Sequence, residues 1–264
     1  MPKLSLSQAW DETRAVLARD GRLFLPVALA LFVLPGLILS VSMPDARAGG
    51  FPPPGPWMIV AFLAFLVWTV GQLAVIRLAI GPHVSVGEAI IHALKRFVPY
   101  FLAGIAWLAP IFVLGSLLSA IIESHWTHPS VAASLGLILL AGLGIFLLVR
   151  FILSSPVAIA EHAGPIGILQ RSWALSSGNW VRLFIFLVLF WIGALCLLWS
   201  IEIIVGLGVK MVSDDIGPLS LGGLIIAIIS ELVSAFISVN FFVFLARIYA
   251  QRAAAQSGVP KSGI

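Results

Sequence analysis

The residues whose types and spacing suggest chemistry fall into three groups. Ala227, Glu231, Ser234 and Ser238 share one helical face within a long apolar run, and Ser230 extends its edge. An acid in such a run is costly unless it faces protein, water or a partner. That face reads either as a small-residue packing seam with Glu231 neutral and hydrogen-bonded, or as a proton or substrate pathway. Glu202 lies nearer one end of its own apolar run, with Lys210 eight residues later on roughly the same face but about 12 Å further along. Snorkelling to the interface is the simpler reading of Glu202. Gln72 and Asn240 are expected to bridge helices, for about 0.6 kcal/mol each.

The second group is Arg150, Glu161, Arg171, Ser172, Trp173 and Arg182. Glu161 is placed to pair with Arg171 or to cap a following helix, and Trp173 to sit at headgroup level. These residues either lock a surface helix against the rest of the chain or let Arg150, Arg171 and Arg182 hold a phospholipid headgroup. The third group, Glu123, His125 and His128, has metal-ligand types, but one short loop supplies three ligands at most, and a zinc site needs about four with a supporting second shell. No metal or cofactor is expected. No Ser/His/Asp constellation, phosphate loop or dinucleotide fingerprint occurs, so the chain reads as a non-enzyme.

The elements that must position these groups follow from composition. The chain has 264 residues, 61% of them hydrophobic and 10% charged. Its mean hydropathy is +1.12. Twenty-six charges cannot coat a soluble globule of that length, because such a protein still exposes about a quarter to a third of its surface. The gaps between charges leave six apolar spans, at 23–41, 57–76, 97–122, 131–153, 181–209 and 219–246, each near the 20 residues that cross a bilayer core as helix. Of the 15 basic residues, 13 fall on one side of this arrangement; only Arg47 and Lys210 fall on the other. The positive-inside rule makes the first side cytoplasmic, with both termini there. These basic residues stand singly beside spans, so the pI near 9.7 points to anionic headgroups and not to nucleic acid. Cys196 is the single cysteine, which excludes an intramolecular disulfide.

Three amphipathic stretches precede the odd-numbered spans. Leu6, Trp10, Thr13, Leu17 and Phe24 form the first stripe. Val86, Ile90, Leu94 and Phe97 form the second, opposite Glu88, His92 and Lys95. Ile166, Leu169 and Trp173 form the third, against Gln170 and Arg171, and it stops at Gly178 and Asn179. Trp68, Trp107, Trp191 and Trp199, inside spans, read as packing residues. The expected fold is an all-α polytopic membrane helical bundle of six transmembrane helices with three cytoplasmic amphipathic surface helices. It forms one integral membrane domain, 1–264, with repeat units 1–80, 81–155 and 156–250 and a flexible tail at 251–264. Two spans per unit make the repeat parallel, unlike the inverted repeats of many secondary transporters.

One stretch carries a resemblance. Pro156-Val157-Ala158-Ile159-Ala160-Glu161, Gly164, and Leu169-Gln170-Arg171-Ser172-Trp173-Ala174-Leu175-Ser176-Ser177-Gly178-Asn179-Trp180 resemble a segment of the glycerophosphoryl diester phosphodiesterase membrane-domain family. The motif spans about 25 residues, and the six-span layout extends the likeness to most of the chain. The resemblance implies a bacterial inner-membrane protein standing alone, because no His-Arg-Gly or acidic metal motif of the catalytic barrel occurs. The expected role is that of a scaffold or accessory factor in envelope or lipid biology, with membrane lipids and other membrane proteins or a second copy as partners. The rival is a transporter or lipid-translocating protein working around Glu231.

Overall fold

The computed structural model describes residues 5–44, 52–81, 84–124, 131–211 and 220–257. Lys3, Arg47, His83, His125, His128, Lys261 and the Glu123 side chain lie outside the described residues. The elements are α1 (Leu6–Ala28), a π turn (Leu29–Val33), α2 (Leu34–Ser42), α3 (Trp57–Ile80), α4 (Val86–Ser124), α5 (Val131–Phe151), α6 (Ser154–Ala160), α7 (Pro165–Ser176), α8 (Trp180–Lys210) and α9 (Leu221–Ser257). Among the described residues there is no strand. Six stretches are long and apolar enough to cross a membrane: Leu6–Ser42, Trp57–Ile80, Val86–Ile122, Ala133–Ala160, Trp180–Lys210 and Leu221–Gln256. The chain is an all-α, multi-pass membrane protein.

Two of the three expected surface helices are not separate elements. The first runs through the π turn into the first span, because Arg22 changes polarity without breaking helical geometry. Pro35 accounts for the turn: it lacks an N–H, and its ring crowds the carbonyl four residues back. Widening the helix there, with the Leu34 amide bonded to the Leu29 carbonyl, relieves the crowding. The second expected surface helix likewise continues into α4. Its start is a capping box, in which Glu88 Oε2 accepts from the Ser85 amide at 3.0 Å and Ser85 Oγ accepts from the Glu88 amide at 3.3 Å. Only α7 stands apart. It ends at Ser176, and the chain turns at Gly178, whose φ of 78° is the left-handed region glycine enters without strain.

The fourth span breaks at 152–153, one turn before Pro156, and resumes as α6. Proline disfavours helix in the residues it crowds, and within the first turn of α6 its missing N–H costs no bond. The expected unit boundary at 155 therefore falls inside α6. The expected tail at 251–264 is also corrected, since α9 runs to Ser257 and Arg252 is only 4% exposed. Helix continues there because Arg252 has a buried function, described below.

The core lies toward one end of the bundle. It comprises the last turns of α3 (Leu73 to Ala79), Val149 and Leu153, the middle of α6, Ile168 and Leu175 of α7, Leu183 and Leu187 of α8, and residues 242–249 of α9. This is the end to which the basic residues point. Helix α3 is apolar all round, and it packs against α1, α2, α4, α6 and α9, as a central helix should. Outside this core, Phe112, Leu139, Leu189 and Ile204 are all exposed, an apolar sheath for acyl chains to solvate. Trp199, at 65% exposed, belongs to this sheath and is not the packing residue expected; Trp191 is half exposed, with one side against Phe241.

The amphipathic stripes are rotated from their expected faces. In α7 the buried residues are Ile168, Ser172, Leu175 and Ser176, while Ile166 and Trp173 are exposed. In α4 the buried face is Ala89 and Ala93; Leu94 is exposed and His92 turns inward. In α1 Ala9 and Val16 are buried beside Thr13, and Trp10 lies at the edge against Phe244. In α4 the small Ala89 and Ala93 let the helix approach its neighbours closely and leave Leu94 outside, while in α7 Ser172 shares the contact face with Ile168 and Leu175.

Candidate functional site

The intramembrane face of α9 opens on a cavity of about 270 Å³ between the first, second and last spans. Its wall combines Glu231, Ser234 and Ser238 of α9 with Phe32 of the π turn, Gly36 of α2, and Phe65 and Trp68 of α3. The π turn has a local role here. It swings Phe32 onto Trp68, with ring centroids 6.0 Å apart, and Gly71 of α3 lets that ring in: a Cβ there would come within 2.8 Å of Phe32 Cε1. Gly36 gives Glu231 its place, since a methyl group at that position would overlap the carboxylate. Among the described residues, neither the Glu231 carboxylate nor the Ser234 and Ser238 hydroxyls have a hydrogen-bond or ion-pair partner. The packing-seam expectation is thus half met. Small residues do bring α2 and α9 together, but Glu231 is not hydrogen-bonded within the seam.

Glu231 lies ten residues from the start of α9, about 15 Å along its axis, and near the middle of the apolar run 219–246. A carboxyl group without a protein partner at that depth must stay neutral or meet a cation.

A second polar assembly occupies the end of the bundle where the core lies. Glu161 and Arg171 pair as expected, Nε to Oε1 at 2.8 Å. Tyr249 donates its hydroxyl to the same oxygen at 2.9 Å, and Arg171 Nη1 donates to Gln256 Oε1 at 2.6 Å. Ser172 is fully buried and donates to the Arg150 carbonyl at 3.0 Å. Trp173 packs on Phe146 and Phe151, and the Arg150 guanidinium lies 4.6 Å from its ring centre. Arg150 also donates to Ser177 Oγ at 3.1 Å. These residues lock α7 to α5 and α9, the structural reading of the pair.

Helices α6 and α7 end with carbonyls that need donors, and two arginines supply them. Arg96 donates from Nε to the Ala158 carbonyl at 2.7 Å, and from Nη2 to those of Glu161 at 2.6 Å and Ala163 at 2.9 Å. His92 meets the Ile159 carbonyl at 3.1 Å. Arg252 donates to the Leu175 carbonyl at 2.9 Å and to that of Ser177 at 3.0 Å.

These observations can be set beside a comparison with known protein families. A family model described as a domain of unknown function, DUF7847, matches residues 4–252. The chain belongs to this family. No curated protein and no solved structure matches it. The family's description assigns no activity.

The remaining expected residues of this family member are dispersed. Glu202 is exposed on α8, away from the Glu231 cavity, and Lys210 is exposed on the same helix. Arg182 is half-buried near the start of α8. Gln72 does bridge helices, donating to the Tyr100 hydroxyl at 3.2 Å, but Asn240 donates to the Phe236 carbonyl of its own helix at 2.8 Å and bridges nothing. Its amide finds an acceptor one turn away without leaving α9. Sequence reasoning missed Gly36, Phe32 and Trp68 as partners of Glu231, and Arg96, His92 and Arg252 as caps. The Pro35-Gly36 pair inside an apolar run was the available signal for the cavity. The caps had none, because which helix end an arginine reaches is a tertiary fact.

Proposed function

We propose that the chain is a non-enzymatic protein of a bacterial cytoplasmic membrane, acting as a scaffold or accessory factor in envelope or lipid biology. In this reading both termini are cytoplasmic, α7 lies at the headgroup zone, and the partners are lipids and either a second copy or another membrane protein. The observation that carries it is Arg96 forked across three carbonyls at the end of α6. With Arg252 capping α7 and Arg171 paired to Glu161 and Gln256, these three arginines hold helices in place, as a fixed docking face requires. The likeness of 156–180 to the glycerophosphoryl diester phosphodiesterase membrane domains fits this use, since Glu161, Arg171, Ser172 and Trp173 are the residues that dock α7. The test is cross-linking in native membranes followed by mass spectrometry. A defined protein or lipid retained at constant ratio by wild type and by Glu231→Gln supports a scaffold; loss of every such partner in the wild-type sample would remove it.

The cavity favours a second reading, a transporter or lipid-translocating protein that works through Glu231. Midplane sites between helices are where such proteins bind their cargo. Purified protein in proteoliposomes should then lose flux on Glu231→Gln, and unchanged flux overturns the reading.

A further inference from the structure

The chemistry of the cavity wall selects among ligands. We propose that the Glu231 cavity binds an alkylammonium group, with the carboxylate as counter-charge and the rings of Phe32, Phe65 and Trp68 as its wall. The inference rests on the second reading, that Glu231 faces a ligand, and adds what that ligand is.

Three observations support it. First, the carboxylate and two hydroxyls that line the space are free of protein partners among the described residues. A carboxylate repels anions and, in apolar surroundings, gains most from a cation. Second, a hard metal cation wants six or more oxygen ligands, or for magnesium an octahedron, and the wall offers one carboxylate and two hydroxyls. The rest of the lining includes three aromatic rings, which suit a cation that carries its own apolar shell. A quaternary or primary ammonium is stabilised over such rings, tryptophan best of all. Third, about 270 Å³ has the bulk volume of about nine waters, below the size of drug-scale pockets. It admits a small amine or the ammonium end of a lipid headgroup.

The ammonium has two sources, a free amine or a phospholipid headgroup, and the test separates them. The protein is placed in nanodiscs of phosphatidylglycerol, which has no ammonium. It is treated with dicyclohexylcarbodiimide, which adds to a protonated carboxyl in apolar surroundings, and the Glu231 adduct is read by mass spectrometry. Choline is compared with its neutral isostere, 3,3-dimethylbutan-1-ol. Choline should protect Glu231 and raise the melting temperature; the isostere should do neither. Glu231→Gln should abolish labelling and the choline shift together, Trp68→Leu should weaken protection by about tenfold, and Trp68→Phe should restore most of it. If the source is a headgroup, nanodiscs containing phosphatidylethanolamine protect Glu231 without added amine; if it is a free amine, they do not.

Equal protection by choline and its isostere, or labelling that neither compound reduces, overturns the ammonium assignment and leaves a ligand-facing Glu231 standing. A Glu231 that never labels, in any nanodisc, removes the ligand-facing reading and the inference with it.

Discussion

Replacing Arg96 by alanine should release α6 and α7 from the bundle. The side chain donates to three carbonyls, at 2.7, 2.6 and 2.9 Å, and each bond is charge-assisted. Such bonds contribute about 1.5–3 kcal/mol apiece when dry. Arg96 is only half-buried, and interfacial water can reach the freed carbonyls, so about 1 kcal/mol each is the appropriate scale, or about 3 kcal/mol together. That corresponds to about a 100-fold rise in the local opening equilibrium. Hydrogen–deuterium exchange in nanodiscs reads it directly, through the amides of Val157, Glu161, Ile168 and Ser177, which bond to carbonyls four residues earlier in α6 and α7. Exchange in Trp57–Ile80 should be nearly unchanged. Arg96→Lys should recover less than half of the protection, because an ammonium cannot span three carbonyls as the guanidinium fork does. If Arg96→Ala leaves exchange in α6 and α7 at the wild-type rate, the clamp has no energetic role and the proposed docking face loses its principal support.

Two further outcomes follow from the same contacts. Gly36→Ala should lower stability by about 1–3 kcal/mol through overlap with the Glu231 carboxylate, and adding Glu231→Ala should restore most of the loss; a melting series in detergent that finds the two changes additive would refute the contact. Trp173→Ala should expose 165–176 to protease, at a cost of about 2 kcal/mol in lost ring and cation–π contacts, while Arg171→Ala should cost under about 1 kcal/mol because the ion pair is one-third exposed. Equal protease sensitivity of the two variants would reverse that ranking.

The spans were legible because bilayer thickness imposes a length and a charge-free composition on any helix that crosses it, and both are local properties. Helix stops were legible only where backbone chemistry dictated them. Gly178 turns the chain just past the end of α7 by its positive φ, and Pro156 breaks the fourth span one turn upstream of itself. Helix faces were harder to read. In α4 and α7 the stripe of large apolar residues identifies the side that prefers to leave water, but a membrane protein has two such sides, one toward lipid and one toward its own core. In α4 the small Ala89 and Ala93 took the core side because they permit close approach, while in α7 Ser172 shares it with Ile168 and Leu175.

The candidate site divides in the same way. Sequence by itself determined that Glu231 is an acid near the middle of an apolar span, that Glu161 and Arg171 lie within reach of one another, and that charge gaps leave six apolar runs long enough to cross a bilayer. Each depends on charge and on distance along the chain. Tertiary structure alone decided that Gly36 receives the Glu231 carboxylate, that Phe32 and Trp68 line the space beside it, and that Arg96 and Arg252 close the ends of α6 and α7. The contacts between Gly36 and Glu231, or between Arg252 and Leu175, join residues far apart in the chain. Packing brings them together, and no local periodicity records which helix will become a neighbour.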